Sequence, residues 1–161
     1  MNPVVTISGG GIIGNYISSR LNNNNIETLV IEKSSADLSN KENIRTLTLN
    51  SYSKELLDDL GINIDYAEIK KINVFDGEGT GKIDFSSDEI HSENLSYVVY
   101  FNDLQSALKR KEKERTFFEE EIKRFKEDVV NNSCEILLSK DKKITSQFIA
   151  GCDGRNSNVA K

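Results

Sequence analysis

A glycine cluster that follows a short apolar segment is the feature that most constrains the fold of this 161-residue chain. The stretch VVTISGGGIIGNYISSRL, residues 4–21, passes from β-branched residues into glycines and then into apolar residues at helical spacing. A second apolar stretch, IETLVIE at 26–32, comes after an asparagine run that ends the helix. A strand, a helix and a strand with short connections predict a β-α-β unit with parallel strands and a right-handed crossover.

Three glycines stand where the predicted strand meets the predicted helix. Gly9, Gly11 and Gly14 form the pattern G-x-G-x-x-G. In this pattern the first glycine permits a tight turn, the second lets a diphosphate approach the backbone, and the third lets the helix pack closely on the strand. The helix would begin at Ile12 and Ile13, whose N–H groups and positive dipole end favour an anion. The position between strand and helix therefore predicts a phosphate-binding turn.

An acidic residue at the end of the second strand completes a dinucleotide-binding fingerprint. Glu32 lies 18 residues after Gly14, and Lys33 follows it. A carboxylate at this place accepts hydrogen bonds from the ribose hydroxyls of an adenosine and repels a 2′-phosphate, so the sequence predicts NAD or FAD rather than NADP. The alternative is a glycine turn in an α/β domain with a surface glutamate.

The rest of the chain predicts short elements separated by polar turns. A helix over 49–60 ends before Gly61, and a strand at 69–75 pairs through the turn DGEGTG with a strand from Lys82. A strand at 97–100 comes before a helix over 103–115 that Asn102 caps. A hairpin joins 136–138 with 144–150. Residues 116–130 are ambiguous, and the spacing of Phe118, Ile122 and Phe125 favours a helix there. In the first helix, the spacing of Ile12, Ile13, Tyr16, Ile17 and Leu21 predicts an apolar face.

Composition limits the classes of function. A net charge of −5 argues against nucleic acid as a partner. The two cysteines, Cys134 and Cys152, form no metal or redox motif, which indicates reduced thiols in a cytoplasmic protein, and we expect no metal site. The only histidine, His91, lies in a polar stretch typical of a solvated loop. We see no secretory signal at the N-terminus.

The stretch GCDGRNS, residues 151–157, resembles the G-A-D-G-x-x-S motif of the flavoprotein aromatic hydroxylases. That family includes para-hydroxybenzoate hydroxylase and the ring hydroxylases of ubiquinone biosynthesis. Three further stretches are similar to family segments and occur in the same order: NIRTLTLNSYSKELLDDLGI at 43–62, INVFDGEG at 72–79, and YVVYFNDLQSALKRK at 97–111. The last is most similar to the ubiquinone-pathway subgroup. The resemblance implies one α/β domain over 1–161, a Rossmann-like FAD-binding domain of the glutathione-reductase type with β-hairpin excursions. It also implies strands within 116–130, and at 117–122 we prefer these strands to the helix that the spacing favours.

The resemblance also implies roles for single residues. The three glycines would face the FAD diphosphate, and Glu32 would hold the adenosine ribose. Arg45 would lie against the cofactor near the diphosphate and flavin, and Asn102 would contact FAD from the start of a helix. Asp153 and Gly154 would serve the diphosphate region and NAD(P)H use. Taken alone, Arg45 is also typical of a surface ion pair, Asn102 of a helix cap, and Asp153 with Gly154 of a turn. No catalytic side chain is expected, because the flavin carries the chemistry.

The sequence departs from the family pattern at two positions and in its extent. Ala160 stands where the family has arginine, and Asp103 stands where many relatives carry arginine. Both departures remove positive charge near an anionic cofactor. Family members continue beyond the D-G motif through substrate-facing strands to a second flavin motif. We therefore expect a C-terminally incomplete domain that, by itself, binds FAD weakly or not at all and does not turn over.

The function implied by the resemblance is the FAD-binding part of an NAD(P)H-dependent monooxygenase that hydroxylates an aromatic ring in ubiquinone biosynthesis. The implied partners are an aromatic substrate, prenylated in that pathway, and a chain that supplies the C-terminal half. The implied location is the cytoplasm, with peripheral association at the inner membrane. Two alternatives remain: an FAD-dependent reductase or oxidase of the same superfamily, and a non-enzymatic nucleotide-binding remnant.

Overall fold

The computed structural model describes residues 2–36 and 45–160. They form two compact units, Met1–Lys41 with Gln105–Lys161 and Glu42–Leu104. A single domain over 1–161 stays a prediction. The elements in chain order are β1 (Val5–Ser8), α1 (Ile12–Asn23), β2 (Thr28–Glu32), β3 (Thr46–Leu49), α2 (Ser51–Asp58), β4 (Ala67–Ile69), β5 (Lys71–Phe75), β6 (Lys82–Ser86), β7 (Ser96–Tyr100), α3 (Phe101–Lys111), β8 (Thr116–Phe118), β9 (Ile122–Asp128), β10 (Ser133–Leu138), β11 (Lys143–Ser146) and β12 (Phe148–Gly151).

A four-stranded parallel sheet with the order β12-β1-β2-β8 forms the centre of the first unit. Val5 lies in register with Thr28 on one side and with Phe148 on the other. The two central strands are almost completely buried, as strands covered on both faces of a parallel sheet are. This arrangement confirms the predicted β-α-β unit with parallel strands.

The core of the first unit lies where the parallel sheet meets a three-stranded antiparallel sheet with the order β11-β10-β9. The buried side chains of this core are Leu29, Ile31, Ile122, Ile136, Leu138 and Ile144. Two come from the parallel sheet and four from the antiparallel one. The hydrophobic effect therefore holds the antiparallel sheet against the strands that carry the glycine turn.

Helix α1 packs on the sheet through small and polar residues, so the predicted apolar inner face is wrong. Its buried residues are Gly14, Asn15, Ser18 and Ser19, while 62% of Ile13 is exposed. The hydroxyls of Ser18 and Ser19 donate to the buried carboxylate of Glu112 at 2.5 and 2.7 Å. Small side chains let α1 approach the sheet closely, and a carboxylate that is distant in the sequence accepts the hydrogen bonds of the serine hydroxyls. The asparagine run ends the helix as predicted, with Asn25 in the left-handed region at φ 59°.

Residues 116–130 contain strands β8 and β9, as the resemblance implies, rather than the helix that the spacing favours. The pairing of β9 with β10 shifts between Leu137 and Leu138, so Ile122 lies opposite Leu138 and Phe125 lies opposite Ile136. This bulge places two apolar residues three positions apart on the same face of a strand. A spacing that is normally typical of a helix is therefore produced here by a strand with one irregularity.

The predicted strand over 144–150 is divided into two strands in different sheets. β11 pairs antiparallel with β10, as the predicted hairpin requires, and β12 then joins the parallel sheet beside β1. The hydroxyl of Ser146 donates to the carbonyl of Phe148 at 3.0 Å, across the point where the chain changes sheets.

The second unit contains an antiparallel sheet with the order β3-β7-β4 and the helix α2. The amide oxygen of Asn50 caps α2 by accepting the Ser53 N–H at 2.7 Å. Gly61 follows the helix in the left-handed region at φ +69°, as predicted for a helix end. Helix α3 begins at Phe101, one residue before the predicted cap Asn102, so the predicted helix start is shifted.

Strands β5 and β6 pair with each other as a two-stranded ribbon. Their register places four apolar side chains on one face: Ile72, Val74, Ile83 and Phe85. These side chains are between 41% and 59% exposed. The predicted strand over 69–75 is divided, because Ile69 ends β4 and β5 begins at Lys71. Every residue of β5 is exposed, so the prediction that the strand is half-buried is wrong. In the ranges that the structure describes, each helix is too short or too polar to pass through a membrane.

Candidate cofactor site

An open cleft of about 310 Å³ lies at the carboxyl ends of the parallel strands. Strands β1 and β2 end there at Ser8 and Glu32, and β12 ends at Gly151 just before the D-G motif. The lining residues are Ser8, Gly9, Gly11, Ile31, Glu32, Lys33, Glu120, Glu121, Ile122, Cys152, Asp153, Gly154, Asn156 and Asn158. This edge of an open parallel sheet is where α/β proteins bind ligands.

The fold itself requires two of the three motif glycines. Gly9 has φ +99°, and a Cβ added there would lie 2.5 Å from the carbonyl oxygen of Cys152. A Cβ added to Gly14 would lie 1.9 Å from the carbonyl oxygen of Gly9. The first glycine therefore makes the turn beside β12, and the third brings α1 against the turn, as the sequence predicted.

Gly11 differs from the other two, because nothing in the fold requires a glycine there. Its φ of −74° and ψ of −169° suit any residue. An added Cβ would meet no atom within 4 Å among the described residues. Gly11 also lines the cleft. The space that a side chain would fill is open, and this is the place where the motif lets a diphosphate approach the backbone.

The first turn of α1 offers hydrogen-bond donors to that space. Gly11 is the N-cap residue and supplies no side-chain cap, and the first turn contains no acidic residue. The N–H groups at a helix start have no acceptor within the helix, which leaves those of Ile12, Ile13 and Gly14 for an anion. The dipole of α1 adds partial positive charge at the same point.

The carboxylate of Glu32 is held against the glycine turn. Its Oε2 atom accepts the Gly10 N–H at 2.6 Å, and its Oε1 atom accepts the Ser34 N–H at 2.7 Å. A carboxylate has about four lone-pair positions, so both oxygens keep capacity for ribose hydroxyls. Lys33 is exposed and also lines the cleft.

Asp153 and Gly154 form the wall of the cleft that follows β12. The Asp153 Oδ2 atom accepts the Ser8 hydroxyl and the Asn158 N–H, both at 3.0 Å. Burial acts to raise the pKa of Asp153, but the hydroxyl of Ser157 and these two donors outweigh it and hold the pKa below its usual range. The Oδ1 atom is buried and accepts no hydrogen bond from the described residues. Gly154 turns the chain at φ +82°.

The structure therefore brings together the glycine turn, Glu32 with Lys33, and the D-G motif. Arg45 and Asn102 belong to the second unit, and their contact with a cofactor stays a prediction. The guanidinium of Arg45 lies 4.5 Å from the ring centre of Phe101, and the Phe101 N–H donates to the Arg45 carbonyl at 2.8 Å.

Sequence reasoning missed one wall of the cleft. Glu120 and Glu121, between β8 and β9, and Ile122, the first residue of β9, also line the cleft. The Glu120 N–H donates to the carbonyl of Glu32 at 3.1 Å, which fixes this segment beside the end of β2. The helix predicted over 116–130 concealed it. A signal was present in the break between the apolar runs at Phe118 and Ile122.

The two thiols, Cys134 and Cys152, are both partly buried. Burial raises the pKa of Cys152, and the neighbouring Asp153 carboxylate raises it further. Burial and Glu127 raise the pKa of Cys134. Neither cysteine is in a disulfide. Among the described residues there is no group of three His, Cys, Asp or Glu side chains that could hold a metal ion.

Comparisons with solved structures find the same fold. P. aeruginosa PqsL in complex with 2-aminobenzoylacetate matches with a TM-score of 0.82 and 15% identity over 99% of this chain and 45% of its own. p-Nitrophenol 4-monooxygenase PnpA from Pseudomonas putida matches with a TM-score of 0.77 and 15% identity over 98% of this chain and 42% of its own. The flavin-dependent monooxygenase PieE, in complex with FAD and substrate, matches with a TM-score of 0.76 and 17% identity over 99% of this chain and 31% of its own.

This chain spans less than half the length of each of these neighbours. A search of curated proteins finds no significant match. The family model described as an FAD binding domain matches residues 2–161, which is nearly the whole sequence. The chain belongs to the FAD binding domain family and shares the fold of solved flavin-dependent monooxygenases.

Proposed function

We propose that this chain is the FAD-binding part of a monooxygenase that uses NAD(P)H to hydroxylate an aromatic ring. The observation that carries the cofactor site is Gly11, which neither backbone conformation nor packing requires to be glycine and which opens into the cleft. A ligand that approaches the backbone at this point explains the residue.

The residues of the cleft divide the work of holding the cofactor. The N–H groups at the start of α1 would receive the diphosphate, and Glu32, already fixed by two N–H donors, would receive the adenosine ribose. Gly154 lets the D-G turn approach the same space. FAD would supply the electron transfer between NAD(P)H and O2, so the protein's own residues bind, orient and exclude water.

The substrate class and the setting follow from the resemblance. The descriptions of two structural neighbours name an aromatic compound: p-nitrophenol for one and 2-aminobenzoylacetate for the other. The similarity of YVVYFNDLQSALKRK to the ubiquinone-pathway subgroup supports a prenylated aromatic substrate for this chain. Such a substrate lies in the inner membrane, which supports a cytoplasmic protein that associates with that surface. The neighbours' greater length supports a further polypeptide that completes the substrate side.

The test is FAD binding to the purified 161-residue chain. We expect a weak complex, seen as a change in flavin fluorescence during titration and lost on desalting, with no oxidation of NADH when a phenol is added. Gly11→Ala should abolish the fluorescence change. Gly77→Ala is the matched control, because among the described residues an added Cβ at Gly77 also meets no atom within 4 Å. Gly77 lies in the turn between β5 and β6 and is not among the residues that line the cleft.

Two results would contradict the proposal. If Gly11→Ala binds FAD as well as Gly77→Ala does, the glycine turn is not a cofactor site. A yellow protein that oxidises NADH in the presence of a phenol would show instead that the 161 residues suffice for turnover.

A further inference from the structure

The cleft is lined by more negative charge than a site for an anion normally has. Among the described residues, four carboxylates line it and Lys33 supplies the only ammonium. One of the carboxylates, Glu32, has a role in holding a ribose. We infer that the remaining three, Glu120, Glu121 and Asp153, are specificity residues that exclude ligands with more negative charge than a dinucleotide diphosphate. This inference rests on the proposed function, because it concerns the same cleft.

The attraction for a diphosphate comes from neutral groups of the first unit. The donors are the N–H groups in the first turn of α1, where no side chain caps the helix. Such donors attract an anion at short range, through hydrogen bonds and the helix dipole, and this attraction falls off within about one turn. They stabilise a phosphate that lies against the backbone but do not stabilise a negative charge that lies farther away.

The repulsion comes from carboxylates that form no salt bridge with a described lysine or arginine. Glu120 is 8% exposed, and its Oε2 atom accepts the Ser139 hydroxyl at 2.7 Å and the Lys140 N–H at 3.2 Å, so its partners are uncharged. Asp153 is likewise held by a hydroxyl and an N–H. Within the described ranges, no lysine or arginine forms a salt bridge with Glu120, Glu121 or Asp153.

Short-range attraction and longer-range repulsion together select ligands by their total negative charge. A dinucleotide carries its two charges at the point of attraction. A ligand with an additional phosphate, on the ribose or at a chain end, adds charge that meets only the repulsion. The same balance fixes the effect of salt, because ions screen charges about 10 Å apart at 0.1 M but leave close hydrogen bonds intact. FAD should therefore bind more tightly as salt is added, in contrast to phosphate sites built from lysine and arginine.

The test measures the FAD dissociation constant by fluorescence titration at about 0.02 M and about 0.5 M sodium chloride. The wild-type chain should bind FAD about three-fold more tightly at high salt. Glu121→Gln removes one exposed charge from the cleft, and should tighten binding at low salt by about two-fold and weaken the salt effect. Glu119→Gln is the matched control, because Glu119 is exposed, lies two residues earlier and does not line the cleft.

Competition gives a second readout of the same residues. ADP-ribose, which has only the bridging diphosphate, should displace FAD at a lower concentration than ATP does. The ratio of the two inhibition constants should shrink in Glu121→Gln and stay at the wild-type value in Glu119→Gln. Steric preference alone would leave this ratio unchanged in both variants.

The outcomes separate this inference from the proposed function. Weaker FAD binding at high salt, or equal effects of Glu121→Gln and Glu119→Gln, would overturn the inference and leave FAD binding established. If Gly11→Ala binds FAD as tightly as the wild-type chain does, the proposed function fails and the inference fails with it.

Discussion

The two glycines Gly14 and Gly11 should respond in opposite ways to the same substitution. In Gly14→Ala the new methyl carbon would lie 1.9 Å from the Gly9 carbonyl oxygen and 3.3 Å from Ile7 Cγ2. An ordinary contact begins at 3.4 Å, so the first contact is about 1.5 Å too short. Both neighbours are parts of the sheet and the turn, so α1 would have to move away from them.

The magnitude follows from the cost of overpacking. A substitution that displaces the backbone in a packed core costs about 1–3 kcal/mol, and we take the upper end, about 3 kcal/mol, because the obstacle is a carbonyl oxygen. For a chain of this size that loss lowers Tm by about 6–12 °C. In Gly11→Ala the methyl group meets nothing and φ is ordinary, so the stability should change by less than about 0.5 kcal/mol.

Thermal unfolding followed by circular dichroism tests the pair, with urea unfolding to give the free energies. The expected pattern is a large loss of Tm in Gly14→Ala, and an unchanged Tm with lost FAD binding in Gly11→Ala. The reasoning is refuted if Gly14→Ala unfolds within about 2 °C of the wild type, or if Gly11→Ala loses as much stability as Gly14→Ala.

Three further predictions concern the buried carboxylate, the D-G motif and the thiols. Glu112→Ala leaves the hydroxyls of Ser18 and Ser19 without their carboxylate acceptor, and should lower the free energy of unfolding in urea by about 3 kcal/mol. Glu112→Gln should lower it by less than half of that, and equal losses in the two variants would contradict this prediction. Because the folded pKa of Asp153 lies below its ordinary 3.8, Asp153 stabilises the fold at neutral pH. The stability difference between wild type and Asp153→Asn should therefore be full above roughly pH 5 and shrink as the pH falls through the folded pKa, and a difference independent of pH would disprove it. Cys152 should react with a disulfide reagent at pH 8 at least about ten-fold more slowly in the folded chain than in urea, because burial and Asp153 keep it protonated; equal rates would refute this.

The sequence predicted the parts of the fold that depend on neighbouring residues. The β-α-β unit, the turn at Gly9, the close packing at Gly14 and the helix end at Gly61 each depend on a few adjacent positions. Glu32 was predicted from its distance to the glycines, and its contact with Gly10 confirms that it lies beside the turn. Its contact with a ribose stays a prediction.

The sequence could not predict features that depend on distant residues. α1 buries serines because Glu112, more than 90 positions away, accepts their hydrogen bonds. The bulge in the pairing of β9 depends on Leu137 and Leu138 of β10. The sequence does not show this pairing, and the three-residue spacing of Ile122 and Phe125 alone is typical of a helix. Glu120 and Glu121, which line the cleft, were missed because the same spacing concealed the break between β8 and β9.

The ribbon of β5 and β6 has a practical consequence for work with this chain. Its four apolar side chains face solvent together, and in the part of the chain that the structure describes neither strand pairs with a third. Two-stranded ribbons are marginally stable, and free strand edges next to apolar surface promote self-association. Lys82 and Asp84, which form a salt bridge on the opposite face, keep that face soluble. We therefore expect the ribbon, rather than the cofactor cleft, to limit the protein concentration at which the isolated chain stays free of aggregates.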